Sequence, residues 1–182
     1  MLMEKYDCAV REVMDRARET QRENIEKAAD MIVKAVKDGG GIHVYDTGHI
    51  IDSELVDRAG GLALLRRLRY TFEVSSTART IDRRGIVDNK EGLAGYALRA
   101  SKAAPGDVLI IGSVSGKTVP VVDMAIEAHK LGITIIAVTS VSYSSSVSSD
   151  HSCKKRLFEI ADLVIDNCSC PGDAMLSVEG LE

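Results

Sequence analysis

The chain has 182 residues, of which 45% are hydrophobic, and its 23 basic and 27 acidic side chains give a formal net charge of −4. This length suits one well-buried domain and is too short to favour two. Mixed charges and only 4% aromatic residues leave no basic surface for a polyanion, so we expect a small-molecule partner and no nucleic acid.

The N-terminus and the cysteines indicate the compartment. Residues 1–7 are charged where a signal peptide needs an apolar core, and no segment reaches the roughly 20 apolar residues of a membrane span. We therefore expect a cytoplasmic protein with no membrane contact, in which cysteines stay reduced. Cys168 and Cys170 are close enough to suggest a metal, but no second pair accompanies them. Free structural thiols, without a metal or cofactor, are the expectation.

Helical and strand patterns alternate along the chain. Apolar or small residues recur at helical spacing from Val10 to Val36, which predicts a long first helix ending at the glycines 39–41. Apolar runs predict strands at 42–46, within 69–74, and at 108–111, 133–139 and 163–166. Helices are predicted between them at 51–59, 91–103, 119–131 and 154–160.

Strands that are apolar over most of their length indicate a parallel sheet covered on both faces. We predict a three-layer α/β/α sandwich with a five-stranded parallel sheet in the flavodoxin-like order 2-1-3-4-5. Residues 1–182 then form a single domain, and residues 1–38 form a helix that packs on it or on a partner subunit.

Two polar segments interrupt this pattern. Residues 75–90 include Arg79, Arg83 and Arg84 and show no periodicity, which predicts either a solvated connection or an active-site lid. The serine-rich residues 140–149 follow the fourth predicted strand and have the low complexity of a linker.

The turn at residues 112–118 carries the chemistry that is easiest to interpret. It reads Gly-Ser-Val-Ser-Gly-Lys-Thr and joins a predicted strand to a predicted helix. Hydroxyls of Ser113, Ser115 and Thr118, with backbone N–H groups at the positive end of a helix, suit a phosphate dianion. Gly116 lets the backbone approach the ligand closely. Thr118 alone would also fit a helix cap, and Lys117 either adds charge or is a solvated lysine.

A nucleotide-binding phosphate loop is a weaker interpretation. That motif places four residues between its glycines, whereas three separate Gly112 from Gly116. Asp166 at a strand end would suit magnesium, which keeps this alternative open. A dinucleotide site is weaker still, because only Gly48 remains of its three-glycine pattern.

The turn resembles a known family. Ser113-Val-Ser-Gly-Lys-Thr118 is similar to the Ser-x-Ser-Gly-x-Thr turn of the sugar isomerase (SIS) domain family, whose members bind or interconvert phosphosugars. Residues 106–113, 133–140 and 161–167 also look like that family, and the likeness runs from the first helix to Asp173.

Within the family, the chain is most similar to small, largely uncharacterised single-domain proteins. They carry Gly-His after the first strand, as at Thr47-Gly48-His49, and Arg-Ala-Gly-Gly-Leu, as at 58–62. Two departures concern the first loop: Asp46 replaces the usual first glycine, and Ile50 replaces a phosphate-facing serine. Either Ser53 compensates or the loop binds through its backbone, with Thr47 and Gly48 nearest the ligand.

Aldose–ketose isomerisation needs a base beside the carbonyl carbon and a second group that handles oxygen protons. The resemblance suggests Glu91 as the base, although an acidic residue also suits a helix start. His49, directly beyond the first turn, is our first choice for the second group, and His151 is the second choice. His43 lies inside a predicted strand as a core or edge residue, and His129 lies late on a helix.

The resemblance implies a phosphosugar-binding protein of carbohydrate metabolism. We expect an isomerase acting through an enediol, with a lyase or etherase as a less favoured enzyme. The alternative is a non-catalytic phosphosugar sensor. Because the long first helix has an apolar stripe and family members assemble, we expect a homodimer or homotetramer.

Overall fold

The computed structural model describes residues 1–47, 51–56, 58–73, 75, 90–172 and 174–178, without the side chains of residues 52 and 53. The strands are β1 (Ile42–Asp46), β2 (Leu65–Arg67), β3 (Val108–Gly112), β4 (Thr134–Thr139) and β5 (Leu163–Asp166). The helices are α1 (Leu2–Lys37), α2 (Asp52–Leu55), α3 (Leu93–Ala100), α4 (Val119–Lys130) and α5 (Val141–Ser146).

The five strands form a parallel sheet in the order β2-β1-β3-β4-β5, which confirms the predicted topology. One face packs on α3 and α4 through a core that includes Leu98, Met124 and Ile135. The other face packs on α1 through a core that includes Ala28 and Ile42. Helices on both faces of a parallel sheet make the predicted three-layer sandwich.

Helix α1 packs on the sheet mainly through its C-terminal half. Gln21, Ala28 and Ala35 are buried at helical spacing, and the Asp166 N–H donates to the Gln21 side-chain oxygen at 3.0 Å. In the N-terminal half, Met3 and Tyr6 are exposed. Among the described residues, no helix is both long enough and apolar enough to cross a membrane.

The predicted second strand was wrong in position. The strand is Leu65–Arg67, not a segment within 69–74. Among the described residues it is an edge strand paired with β1 alone. Its burial is partial, so two arginines are accommodated where an interior strand would be uniformly apolar. Residues 76–89 of the arginine-containing segment lie outside the described residues.

The serine-rich residues 140–149 are also not a linker. Within them, Val141–Ser146 form α5, whose first turn is capped by the Ser140 hydroxyl, which accepts from the Tyr143 N–H at 3.2 Å. Ser140 and Ser144 are fully buried, because small hydroxyl side chains fit where the helix meets the end of the sheet. The helix predicted at 154–160 is a single 3₁₀ turn, Leu157–Glu159.

Candidate functional site

The carboxyl ends of β1 and β3 lie side by side, as the predicted strand order requires. Asp46 and Gly112 are register partners. A Cβ atom added to Gly112 would lie 2.7 Å from Ile51 Cγ1, so the glycine lets the segment after β1 pack against β3. The Asp46 carboxylate accepts the Ile51 N–H at 2.6 Å. Two predicted ligand-contacting residues of this first loop, Gly48 and His49, lie outside the described residues, as does the Ser53 side chain.

The conformation of the turn after β3 is fixed by a hydrogen bond inside the turn and by contacts with Leu157. Ser113 is buried, and its hydroxyl accepts the Gly116 N–H at 3.2 Å. Gly116 has a φ of +57°, which favours glycine, and its carbonyl accepts the Leu157 N–H at 2.8 Å. A Cβ atom there would lie 3.0 Å from Leu157 Cβ. Glycine is therefore favoured at position 116 both by its backbone conformation and by its neighbour.

The outer side of the turn has hydrogen-bond donors without acceptors. Within the described part of the chain, the backbone N–H groups of Val114, Ser115, Lys117 and Thr118 donate no hydrogen bond. The Ser115 and Thr118 hydroxyls also make none there, and Thr118 begins α4 without capping it through its side chain. Unsatisfied donors at the N-terminus of a 12-residue helix are an arrangement that binds anions.

Lys117 joins the turn to the segment after α5. Its carbonyl accepts the Asp150 N–H at 3.0 Å, and its half-buried ammonium lies 3.6 Å from an Asp150 carboxylate oxygen. The side chain is therefore neither freely solvated nor an isolated positive charge, because Asp150 offsets part of its field.

The same segment reaches Glu91 two residues later. Ser152 donates its backbone N–H to one Glu91 carboxylate oxygen and its hydroxyl to the other, each at 2.7 Å. The pKa of Glu91 is lowered, first by the Ser152 backbone N–H and then by its hydroxyl. Glu91 is thus a carboxylate at neutral pH and remains partly exposed, at 23% of its side-chain surface.

His151 lies behind Glu91. Its Nδ1 is 3.8 Å from a Glu91 carboxylate oxygen, and its Nε2 is 3.9 Å from Asp123 Oδ1. The Cys153 N–H donates to Nδ1 at 3.1 Å, which assigns the proton of a neutral ring to Nε2. The fold therefore brings Glu91 close to His151, the second-choice catalytic histidine. The buried ring lies between the carboxylates of Glu91 and Asp123 and does not face solvent.

Asp123 is the residue of this cluster that the sequence analysis missed. It is 97% buried on α4, and its carboxylate accepts the Gly92 N–H with both oxygens and the Ala94 N–H with one, all at 3.0 Å. The available signal was an acidic residue between Val122 and Met124, on a helix face that is otherwise apolar. A buried acid in such a position needs a specific partner.

Two tyrosines lie near the same carboxylate. The rings of Tyr45 and Tyr70 stack with centroids 6.1 Å apart. Burial is the main cause that raises the pKa of Tyr45, followed by Tyr70, and the charge of Asp123 contributes as well. Both hydroxyls therefore remain protonated at neutral pH.

Two other histidines have local partners elsewhere. His43 is buried in β1 with its Nε2 2.9 Å from Asp107, at the amino end of the sheet, as expected of a core residue. His129 lies 2.9 Å from Asp162 near the surface. Cys168 and Cys170 are free thiols, and the described residues contain no group of three or more His, Cys, Asp or Glu side chains that could hold a metal.

Comparison with known proteins supplies the family. The family model described as SIS domain matches residues 5–140. The chain belongs to the SIS domain family. It is 38% identical over 181 residues to a UPF0309 protein of Shouchella clausii, covering 98% of this chain and 73% of that protein. It is 32% identical over 179 residues to a UPF0309 protein of Oceanobacillus iheyensis, covering 97% of this chain and 72% of that protein.

Solved structures of phosphoheptose isomerases share the SIS fold of this chain. The enzyme from Neisseria gonorrhoeae superposes with a TM-score of 0.59 at 19% identity, over 96% of this chain and 89% of the other. The enzyme from Francisella tularensis gives a TM-score of 0.56 at 18% identity, over 91% and 82% of the two chains. At these identities the likeness establishes the shared fold.

Proposed function

We propose that this SIS-domain protein binds a phosphorylated sugar and isomerises it between aldose and ketose through an enediol. The observation that carries the proposal is the connection from the donor-rich turn at 113–118, through Asp150 and Ser152, to the Glu91 carboxylate. A connection of this kind between a turn with free hydrogen-bond donors and an ionised carboxylate supports a site that holds a phosphate near a base. Membership of the SIS family supports a phosphosugar as the ligand.

The phosphate is proposed to sit against the turn. The Ser115 and Thr118 hydroxyls and the free backbone N–H groups would donate to its oxygens, and the N-terminus of α4 favours the negative charge. Ser113 and Gly116 shape the turn from beneath, and Lys117 adds a positive charge that Asp150 partly offsets. Thr47, Gly48 and Ser53 are proposed to complete the site from the first loop.

Glu91 is proposed as the base that moves a proton between adjacent sugar carbons. It is ionised at neutral pH and partly exposed, as a base must be. Ser152 contacts both carboxylate oxygens, and each oxygen keeps a second lone pair that can accept a proton. His151 is buried with its Nδ1 3.8 Å from Glu91, so His49 remains our candidate for the group that moves oxygen protons.

A thermal-shift panel followed by an exchange assay tests this function. Hexose, pentose, heptose and amino-sugar phosphates are compared with ATP plus magnesium and with NAD, because a true ligand at free concentration L stabilises the folded state by RT ln(1 + L/Kd). Sugar phosphates that raise the Tm are then incubated in D2O, and NMR follows deuterium entry at the carbon beside the carbonyl. We expect Glu91→Gln to keep the Tm shift and to abolish exchange, whereas Glu12→Gln on the surface of α1 changes neither.

A non-catalytic phosphosugar sensor is the second candidate. The observation that favours it is that Ser152 hydrogen-bonds both oxygens of Glu91, which leaves the carboxylate engaged before any ligand arrives. A sensor would bind a sugar phosphate with the wild-type turn and show no deuterium entry. A Tm shift with nucleotide alone would instead favour a nucleotide site, although the Asp166 carboxylate that magnesium would need already accepts the Val141 and Cys168 N–H groups.

A further inference from the structure

We infer that Asp123 is the positioning residue that fixes Glu91 and His151 relative to each other. The inference rests on the proposed function, in which Glu91 is the base. Asp123 touches neither the turn at 113–118 nor Glu91 by any hydrogen bond among the described residues. It acts on Glu91 from two sides, through the backbone that follows Glu91 and through the imidazole behind it.

The first connection runs through the start of α3. That helix begins after Gly92, which has a φ of +89° and offers no side chain to cap the helix. Asp123, on the neighbouring helix α4, accepts the Gly92 and Ala94 N–H groups instead. A carboxylate at a helix N-terminus satisfies its free donors and favours its dipole. Because Gly92 directly follows Glu91, this cap fixes the backbone from which the base extends.

The second connection runs through His151. Its Nδ1 accepts the Cys153 N–H, so the neutral ring presents its Nε2–H toward Asp123 Oδ1, 3.9 Å away. The opposite edge of the ring lies 3.8 Å from Glu91. This edge carries the Nδ1 lone pair, which the Cys153 N–H already occupies, so the ring makes no hydrogen bond to Glu91. By facing Asp123, the ring takes an orientation that limits where the Glu91 carboxylate can lie. One carboxylate thus connects α3, α4 and the segment at 150–153.

Replacement by asparagine separates this role from packing, because the side chain keeps its volume. An amide nitrogen would meet either a backbone N–H or the His151 Nε2–H, and both are donors. We therefore expect Asp123→Asn to rotate or displace His151 and to shift Glu91. A displacement of about 1 Å at a reacting group can cost about a hundredfold in rate. The turn that holds the phosphate is unchanged, so the KM should stay within about threefold while kcat falls at least about tenfold.

The chain contains a matched control in Asp162. Its carboxylate also accepts a backbone N–H, that of Ile135 at 2.7 Å, and also lies 2.9 Å from a histidine, His129. Asp162→Asn should lower the Tm through the lost hydrogen bonds and leave kcat and His151 unaltered. A purely structural Asp123 would behave in the same way.

The closing experiment combines kinetics with ¹⁵N NMR of the histidine rings. We expect His151 in the wild-type protein to show the Nε2–H tautomer, and Asp123→Asn to change that signal while the His43 signals stay in place. A wild-type Nδ1–H tautomer would overturn the inference, even if Asp123→Asn failed to fold. An unchanged kcat together with unchanged His151 signals in Asp123→Asn would also overturn the inference. If no sugar phosphate is turned over, the proposed function fails, and the tautomer measurement alone then decides the role of Asp123.

Discussion

Ser152 donates two hydrogen bonds to Glu91, one from its backbone N–H and one from its hydroxyl, each 2.7 Å long. Both stabilise the ionised carboxylate and lower the pKa of Glu91. The backbone bond is the larger cause and survives any side-chain substitution.

The first prediction concerns the pH dependence of activity and follows from the hydrogen bonds between Ser152 and Glu91. Ser152→Ala removes the hydroxyl contribution, so the pKa of Glu91 rises toward its ordinary value. A general base works only when deprotonated, and the acid limb of kcat/KM therefore moves to higher pH. The measurement is a pH profile of kcat/KM for the wild type, Ser152→Ala and the exposed control Ser145→Ala. An acid limb that stays in place in Ser152→Ala would mean that another group controls it.

The second prediction concerns the turn at 113–118, which we propose binds the phosphate. Ser115→Ala and Thr118→Val each remove a hydroxyl that has no partner within the described chain. A hydrogen bond to a charged group contributes about 1.5–3 kcal/mol, so each variant should weaken sugar-phosphate binding by about ten- to a hundredfold. Titration calorimetry with a sugar phosphate, and with inorganic phosphate as the minimal ligand, measures the loss. Equal affinity in all variants and in Ser145→Ala would move the phosphate away from this turn.

The third prediction compares two glycines with left-handed backbone. Gly116 has a φ of +57° and a close neighbour in Leu157, whereas Gly39 has a φ of +85° and nothing within 4 Å of an added Cβ. Gly39→Ala should cost about 1 kcal/mol from backbone strain alone. Gly116→Ala adds the contact with Leu157 and should cost about 2 kcal/mol or more.

Urea unfolding of the two variants measures this difference, and titration with a sugar phosphate gives a second comparison. We expect Gly116→Ala to lose binding and Gly39→Ala to keep it. Equal stability losses would show that the turn moves away from Leu157 without a penalty.

The fourth prediction concerns α1 and the homo-oligomer that we propose. Met3, Tyr6 and Met14 are 72%, 59% and 56% exposed, although they continue the helix face that buries Gln21 and Ala28 further along. Apolar side chains that continue a buried stripe beyond the domain indicate a contact with another subunit. Tyr6→Glu combined with Met14→Glu should shift the protein to monomer in light scattering after gel filtration. Lys5→Glu, a charge change on the polar face, should leave the assembly intact, and a monomeric wild type would contradict the proposal.

Prediction from the sequence succeeded for elements whose hydropathy pattern follows directly from their position in the sheet. Strands β1, β3 and β4 are apolar because they are interior strands of a parallel sheet, so their runs were visible without a structure. Edge strand β2 was misplaced and helix α5 was missed. Each packs against the rest of the fold on one side only, so its sequence carries a weaker hydrophobic pattern than that of an interior strand. The buried residue of α5 is Ser144, and its N-cap residue Ser140 is also buried; serines carry no hydropathy signal even when they pack in the interior.

For the site, the turn at 113–118 was predictable because its strand, hydroxyls, glycines and helix start are consecutive in the chain. The role of Asp123 was not, because nothing in its sequence neighbourhood points to Gly92 or His151 as partners. Glu91 and His151 were each candidates, but their proximity depends on the course of the segment after α5.

By itself, the amino-acid sequence determined the parallel α/β/α fold and the strand, turn and helix start at 108–119, since hydropathy period and turn chemistry act over a few residues. Anion binding by that turn stays a prediction. Only the tertiary structure decided that Glu91, Asp123 and His151 form one cluster. Contacts between residues far apart in the chain depend on how helices pack across the sheet, and that packing is a property of the whole fold.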